Sequence, residues 1–292
     1  MREPNPTHNV LCVGEALWDC LPDGEFPGGA PLNVAYHLAK TGCTPWLVSS
    51  VGDDERGASL LSQLNAWGLA RDFVRVDGAR PTGVVRVRLD AGLPSYDIAE
   101  DVAWDHLVAS EALSPIAQTA DAIVYGSLAM RGPHNRKMLT HLIDRSPRAL
   151  KVFDVNLRPP YDNPERIRQL AQHADLIKLN DEEIGVILGT EVSLADLSGS
   201  ARKIASWADC DRVCVTAGAD GAGLLDHNDW HWVRGERVVV SDTVGAGDAF
   251  LAALVAGLIQ TPDVPSRVLA RASRLAAFVA SKPGATPDYH FH

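Results

Sequence analysis

Ser241-Asp-Thr-Val-Gly-Ala-Gly-Asp-Ala-Phe250 has the composition of an anion site with a base beside it. The valines of Arg237 to Val240 predict a strand that runs into this glycine-rich turn. A long apolar helix, roughly Ala246 to Leu258, follows. Gly245 and Gly247 let the backbone turn tightly and leave its amides uncovered. The N–H groups of Gly245, Ala246, Gly247 and Asp248 then project from a helix N-terminus, where anions bind. Asp248 adds a carboxylate to the first turn. Amides that stabilise a moving phosphoryl group, beside a carboxylate that receives the proton of an attacking hydroxyl, suit phosphoryl transfer. Asp also caps helices for purely structural reasons. A cap accounts for one Asp but not for Gly-Ala-Gly preceded by Asp-Thr.

Rival motifs are absent or weak. No Gly-x4-Gly-Lys-Ser/Thr occurs, so this is not a Walker-type loop. Gly245-Ala-Gly247-Asp-Ala-Phe250 fails the last position of Gly-x-Gly-x-x-Gly, which disfavours a dinucleotide dehydrogenase. Cys210, Cys214, His227 and His231 have zinc-finger spacing. Cys214, however, lies in the β pattern Arg212-Val-Cys-Val-Thr216, and the residues between Cys214 and His227 include no Lys or Arg. No metal is expected there.

The elements that must position the turn alternate. Buried strands are predicted at Asn9 to Gly14, Trp46 to Val51, Ala122 to Tyr125, Ala149 to Val155, Leu176 to Leu179 and Arg212 to Thr216. Helices are predicted at Pro31 to Thr41 and Glu55 to Trp67, and near 134–144, 164–173, 181–188 and 195–207. Repeated β-then-α order predicts an α/β fold: a mostly parallel sheet with helices on both faces and the site at the strands' carboxyl ends. Phe73 to Glu100 breaks the rhythm with successive strands and no helix between them. Gly83-Val-Val-Arg-Val-Arg-Leu89 alternates apolar and polar residues, so one of its faces is wet or covers a ligand. Residues 1–292 read as one domain, with segments of about 17–28 and 73–106 inserted as a small β lid.

Composition sets the outer limits. The chain has 292 residues, 27 Lys+Arg against 37 Asp+Glu, and a net charge of −10. That balance argues against nucleic acid, whose phosphates call for a basic face. No apolar run is long enough to span a membrane, which needs about 18 residues. Met1 to Asn9 is polar and unlike a secretion signal. Five scattered cysteines, an odd number, suggest reduced thiols and a cytoplasmic location.

Asp242-Thr-Val-Gly-Ala-Gly-Asp-Ala-Phe250 resembles the C-terminal signature of the ribokinase-like (pfkB) carbohydrate kinases. The resemblance extends along nearly the whole chain: Gly14-Glu-Ala-Leu-Trp-Asp19, Gly28-Gly-Ala-Pro-Leu-Asn-Val-Ala35, Asp154-Val-Asn-Leu-Arg158, Asn180-Asp-Glu-Glu183 and Val215-Thr-Ala-Gly218. It implies a ribokinase-like domain with a β lid over the sugar, often a homodimer through that lid. Asp248 would then be the base, and the amides of Gly245 to Asp248 the anion hole. Asp19, Gly29 and Asn33 would hold sugar hydroxyls, and Arg158 would face substrate and phosphate. Asn180 and Glu183 would organise Mg²⁺ through water, although the same pair also fits a helix cap. Thr216, Gly218, Gly221 and Ser273 would line the ATP side. Ser273 stands where ribokinases have Asn. Asp242, Val244 and Gly284 resemble a K⁺ site.

Gly-Gly-Ala-Pro-Leu-Asn in place of Gly-Gly-Lys-Gly, together with Asp-Val-Asn-Leu-Arg, leans toward fructokinases. Tyr96 and Trp104 are candidates to close over the sugar, or to pack the lid. The expected activity is ATP-dependent phosphorylation of fructose at its 6-hydroxyl. Kinases of ribose, tagatose, 2-keto-3-deoxygluconate or a nucleoside such as adenosine, and a catalytically silent sugar or nucleotide sensor, are the alternatives.

Overall fold

The structure, a computed structural model, describes residues 8–21, 24–90, 93–260 and 264–290, the side chains at 87–90 and 93–96 excepted. In chain order β1 (Asn9–Val13) precedes an antiparallel pair, β2 (Leu17–Leu21) and β3 (Gly24–Gly28). Then come α1 (Ala30–Lys40), β4 (Thr44–Gly52), α2 (Glu55–Ala66) and β5 (Val74–Asp77). A second antiparallel pair, β6 (Gly83–Asp90) and β7 (Leu93–Ile98), leads to α3 (Ser114–Thr119). Strands and helices then alternate through β8 (Ala122–Gly126), α4 (Pro133–Asp144), β9 (Leu150–Asp154), α5 (Pro164–Ala171), β10 (Leu176–Asn180), α6 (Asp181–Leu188) and α7 (Leu197–Ala208). β11 (Arg212–Thr216), β12 (Gly221–Asp226), β13 (Asp229–Arg234), α8 (Ala246–Gln260) and α9 (Pro265–Ala280) complete the order.

Nine strands form one sheet in the order β13-β12-β11-β10-β9-β8-β1-β4-β5, parallel except for β12 and β13 at one edge. Its central strands read as unbroken apolar runs because both faces are covered. In β1, Leu11 and Val13 enter the core on one face with Ile123, Tyr125 and Phe153. Val10 and Cys12 enter the other with Leu32, Leu254 and Leu269. Helix α8 is apolar around its circumference because α1 and α9 flank it, and Ala249 to Ala256 are all buried. A four-stranded second sheet, β3-β2-β6-β7, stands apart. This is the α/β fold expected from the sequence, a mostly parallel sheet covered by helices with a smaller sheet beside it.

Three expectations change. β5 belongs to the large sheet, paired with β4 (Ser49↔Val74), because Val74 is buried in the same core as Leu60 and Leu64 of α2. The second stretch of the small sheet therefore begins at Gly83 rather than near 73. Arg237 to Val240 is not a strand. Val238, Val239 and Val240 are 39%, 90% and 59% exposed, so no core rewards their pairing. The chain is instead tied to the end of α9, where the amides of Ser241 and Asp242 donate to Ala280 O (2.9 and 3.2 Å). The zinc-like spacing also dissolves. Cys210 and Cys214 are buried in cores on opposite faces of the sheet, and burial pushes the Cys214 thiol up to about 12. No cluster of metal-ligating side chains occurs among the described residues. No helix among them is long and apolar enough to cross a membrane.

Candidate active site

The carboxyl ends of β1, β9, β10 and β11 converge on the head of α8. Gly245 has φ +75°, the left-handed region that glycine tolerates. A Cβ there would lie 2.6 Å from both Cα and Cβ of Ala285, so the position also demands the absence of a side chain. The amides of Gly245, Gly247 and Asp248 have no acceptor among the described residues, and Gly247 is exposed. Ala246 departs from the expected set, because its N–H is turned back to Thr243 O at 3.2 Å.

Asp248 stands in the first turn of α8 and is partly exposed. Its Oδ2 accepts from Asn33 Nδ2 at 2.8 Å, linking α8 to α1. Burial, then the Asp154 charge, pushes its carboxyl up to about 6, against the pull of Asn33, Lys178 and Arg158. Asp19 on β2 is likewise raised to about 6, by burial, with Arg158 lowering it and Asp248 raising it. Gly29, at the N-terminus of α1, has φ 108°, and a Cβ on it would strike Glu15 O at 2.5 Å. Asp19, Gly29, Asn33, Arg158 and Asp248 thus gather where β2 and α1 meet the head of α8. Arg158 is exposed, and among the described residues its guanidinium makes one hydrogen bond, from Nη1 to Leu157 O (2.9 Å), so most of it is available. Asn156 at φ 38° turns the chain that presents it.

On the other side of the α8 turn lies a cavity of about 480 Å³. Thr216, Gly218, Gly221, Gly247, Phe250 and Ser273 line it, so the four residues expected on the nucleotide side come together against the glycine turn. Asn180 and Glu183 form a reciprocal cap. Asn180 Oδ1 accepts from Glu183 N (2.7 Å), and Glu183 Oε2 accepts from Asn180 N (2.9 Å). Glu183 Oε1 accepts from Leu157 N (2.8 Å), which ties α6 to the loop carrying Arg158. Asp242, Val244 and Gly284 also meet: the Asp242 carboxylate accepts from Val244 N (3.0 Å) and Gly284 N (3.2 Å).

Trp104 does not close over this cleft. It is fully buried, stacked by the Arg131 guanidinium at 4.2 Å and packed against Gly83. A large aromatic that follows a returning strand found the core before it could reach a ligand. Tyr96 pairs with Val87 in the small sheet, and its side chain lies outside the described residues.

Sequence reasoning missed three charged groups. Glu15 is 4% exposed with Oε2 unpartnered, and burial raises its carboxyl to about 7. Lys178 and Asp154, neighbours across β10 and β9, form a buried ion pair at 3.0 Å beneath the α8 turn. A lysine inside Leu176-Ile-Lys-Leu-Asn180 was the available signal, since a charge in a strand buried on both faces must have a partner.

With Asp248 as the base that the sequence suggests, the active form is the carboxylate, and kcat is then expected to fall as pH drops through about 6, roughly tenfold per unit below it. The apparent value belongs to Asp248 coupled with Asp19 and Glu15. Asn33→Leu removes the N–H that favours the Asp248 carboxylate, so the limb should move to higher pH. A kcat–pH profile of both proteins that shows the same midpoint would refute this coupling.

Residues 9–290 match the family model of the pfkB family carbohydrate kinases. A fructokinase of Klebsiella pneumoniae is 31% identical over 280 residues, covering 91% of this chain and 89% of the relative. An aminoimidazole riboside kinase of Salmonella typhimurium is 28% identical over 261 residues, covering 85% of this chain and 80% of the relative. Among solved structures, an uncharacterised sugar kinase of Pyrococcus horikoshii in complex with ATP superposes with a TM-score of 0.77 at 26% identity, covering 95% of this chain and 94% of the other.

Proposed function

The chain belongs to the pfkB family of carbohydrate kinases, and on that premise we propose that it transfers the γ-phosphoryl group of ATP to fructose, giving fructose 6-phosphate. One observation carries the reading. The Asn33–Asp248 contact of 2.8 Å puts a carboxylate on the sugar side of the α8 turn, while Gly247 of the same turn lines the 480 Å³ cavity. Asp248 removes the proton of the attacking hydroxyl. The amides of Gly245, Gly247 and Asp248 receive the charge on the transferred group. Asp19, Asn33 and the open backbone at Gly29 hold the sugar hydroxyls, and Arg158 bridges sugar and phosphate. The small sheet covers the sugar and excludes water, so the alcohol rather than water attacks.

The residues fit a hydrated Mg²⁺. Both oxygens of Glu183 already accept backbone N–H groups, so contact with the ion runs through water, which Mg²⁺ retains readily. Asn180 Oδ1, which has a second lone pair, and the unpartnered, buried Asp154 Oδ2 are further acceptors that could orient those waters. Mg²⁺ would supply neutralisation of phosphate charge. Asp242 draws together Val244 and the distant Gly284, whose segments could hold a monovalent cation such as K⁺ between them. Leu21 and Phe26, exposed on the small sheet at 36% and 43%, support pairing of two copies through it. The buried free cysteines suit the reducing cytoplasm.

The fructokinase relative favours fructose, and the riboside kinase relative makes a nucleoside the second reading. A coupled ADP-release assay across fructose, ribose, tagatose, 2-keto-3-deoxygluconate and adenosine tests both. Fructose should exceed every other acceptor in kcat/KM by at least roughly tenfold, the scale of one well-placed hydroxyl contact. A higher value for adenosine would replace the first reading with the second. Nucleotide binding without turnover of any acceptor would make the protein a sensor.

A further inference from the structure

β10 is a central strand buried on both faces, yet its middle residue is Lys178, only 7% exposed. The side chain does not run out to water. Its ammonium stays under the head of α8, 3.0 Å from Asp154 Oδ1, which is its only hydrogen-bond acceptor among the described residues. An ammonium has three donors, so two are unspent in a place where unmet polar groups are costly. What lies above is informative. A Cβ built on Gly247 would meet Lys178 Nζ at 3.4 Å and, apart from its chain neighbours and its own helix backbone, no other atom within 4 Å. The glycine therefore leaves an open path between a buried cation and the exposed turn. Burial opposes the protonated lysine, but the Asp154, Glu183 and Asp248 charges together outweigh it.

We propose that Lys178 is a phosphoryl-binding residue: its two free N–H groups reach through the gap at Gly247 to the γ-phosphoryl oxygens of ATP, while Asp154 fixes the ammonium from below. The proposal rests on the nucleotide reading of this site. Lys178 keeps its proton throughout. The bond between the γ-phosphorus and the ADP oxygen breaks, the bond to the sugar oxygen forms, and the hydroxyl proton goes to Asp248. Because Lys178 sits under the Asp248 end of the turn, it contacts the group that ADP lacks and contributes to telling triphosphate from diphosphate.

Calorimetric titration of the full chain with ADP and with the imido analogue of ATP, with Mg²⁺ and without sugar, provides the test. In Lys178→Met the Kd for the triphosphate should rise roughly 10–100-fold, the scale of hydrogen bonds to a charged group. The Kd for ADP should change much less, and kcat should fall. A purely structural ion pair would shift both nucleotides together or neither, and that result overturns the proposal. Removing one partner of a buried pair can unfold a protein, whereas replacing both by apolar groups of similar volume is tolerated. If Lys178→Met does not fold, the double variant Lys178→Met with Asp154→Leu gives the same readout. Asp154→Asn, which keeps Lys178 in place, is the control for any part Asp154 plays toward Mg²⁺, and triphosphate binding weaker in the double variant than in that control reports on Lys178. A wild-type protein that binds neither nucleotide would defeat the kinase reading itself. Wild-type binding with an unchanged ratio in the variants would defeat only the role of Lys178.

Discussion

Asp248→Asn should lower kcat by roughly 10²–10⁴-fold, the range for removing a positioned base, while the protein stays folded. The amide is nearly isosteric with the carboxylate, and its oxygen can still accept from Asn33 Nδ2, which now donates to Asp248 at 2.8 Å. ADP affinity should persist, because the cavity on the nucleotide side, lined by Thr216, Gly218, Gly221 and Ser273, is untouched. Stability separates this loss from misfolding. The Asp248 carboxyl sits at about 6 in the folded protein, above the ordinary value of about 4. The folded state therefore opposes the charged form, and that penalty is fully present only above about pH 6. It is relieved as pH falls through the folded value toward the unfolded one. Asn carries no charge, so the variant should be at least as stable as the wild type at pH 8. The difference should vanish below about pH 4. Urea unfolding at the two pH values, beside the turnover measurement, checks both halves. Near-wild-type turnover would remove Asp248 from the chemistry. Lost turnover with a weakened fold at pH 8 would make it a structural residue.

The contrast between Val238–Val240 and Leu176–Asn180 explains how much of this site was legible in the sequence. Apolar runs such as Val10 to Val13 and Ile123 to Tyr125 read as parallel strands because the physics is uniform there, with both faces buried. The three valines before Ser241 carry the same local signal but serve another purpose. Val238 and Val240 line the cavity beside Gly247, so their apolar surface faces a ligand rather than a neighbouring strand. Periodicity does not distinguish the two uses. Trp104 fails for the opposite reason. Its destination depends on Arg131 and Gly83, neither adjacent to it in sequence. The glycine turn, Asp248, Asn33 and the cap formed by Asn180 and Glu183 were readable because backbone conformation and capping chemistry restrict residue choice locally. Glu15 and Lys178 were not singled out, since a buried charge acquires meaning only once its partners across the sheet are known.

That local restriction makes Gly245 the second decisive position. Gly245→Ala faces two penalties. The first is strain at φ +75°, about 1–2 kcal/mol for a residue with a Cβ. The second is collision with Cα, Cβ and O of Ala285, at 2.6, 2.6 and 2.7 Å. Ala285 has little room to retreat, because α1 holds the segment that follows it. His37 Nε2 meets Ala285 O at 2.9 Å, Tyr36 OH donates to Pro287 O at 2.8 Å, Lys40 pairs with Asp288 at 2.7 Å, and His37 Nδ1 meets Tyr289 OH at 2.8 Å. Burial lowers the His37 ring to about 4, so it remains a neutral tether near pH 7. With the tail fixed, the glycine turn must move, and its amides leave the position of the transferred phosphoryl group. Loss of one such donor costs roughly 10²–10³-fold in kcat. Gly68→Ala is the matched control, with φ +72° and nothing within 4 Å of the added Cβ. It lies far from α8 along the chain, at the end of α2, so it should lose only the strain energy and keep its turnover. Should the two alanine variants lose similar stability and both retain kcat, the amides at the head of α8 would not be the group that holds the phosphoryl in flight.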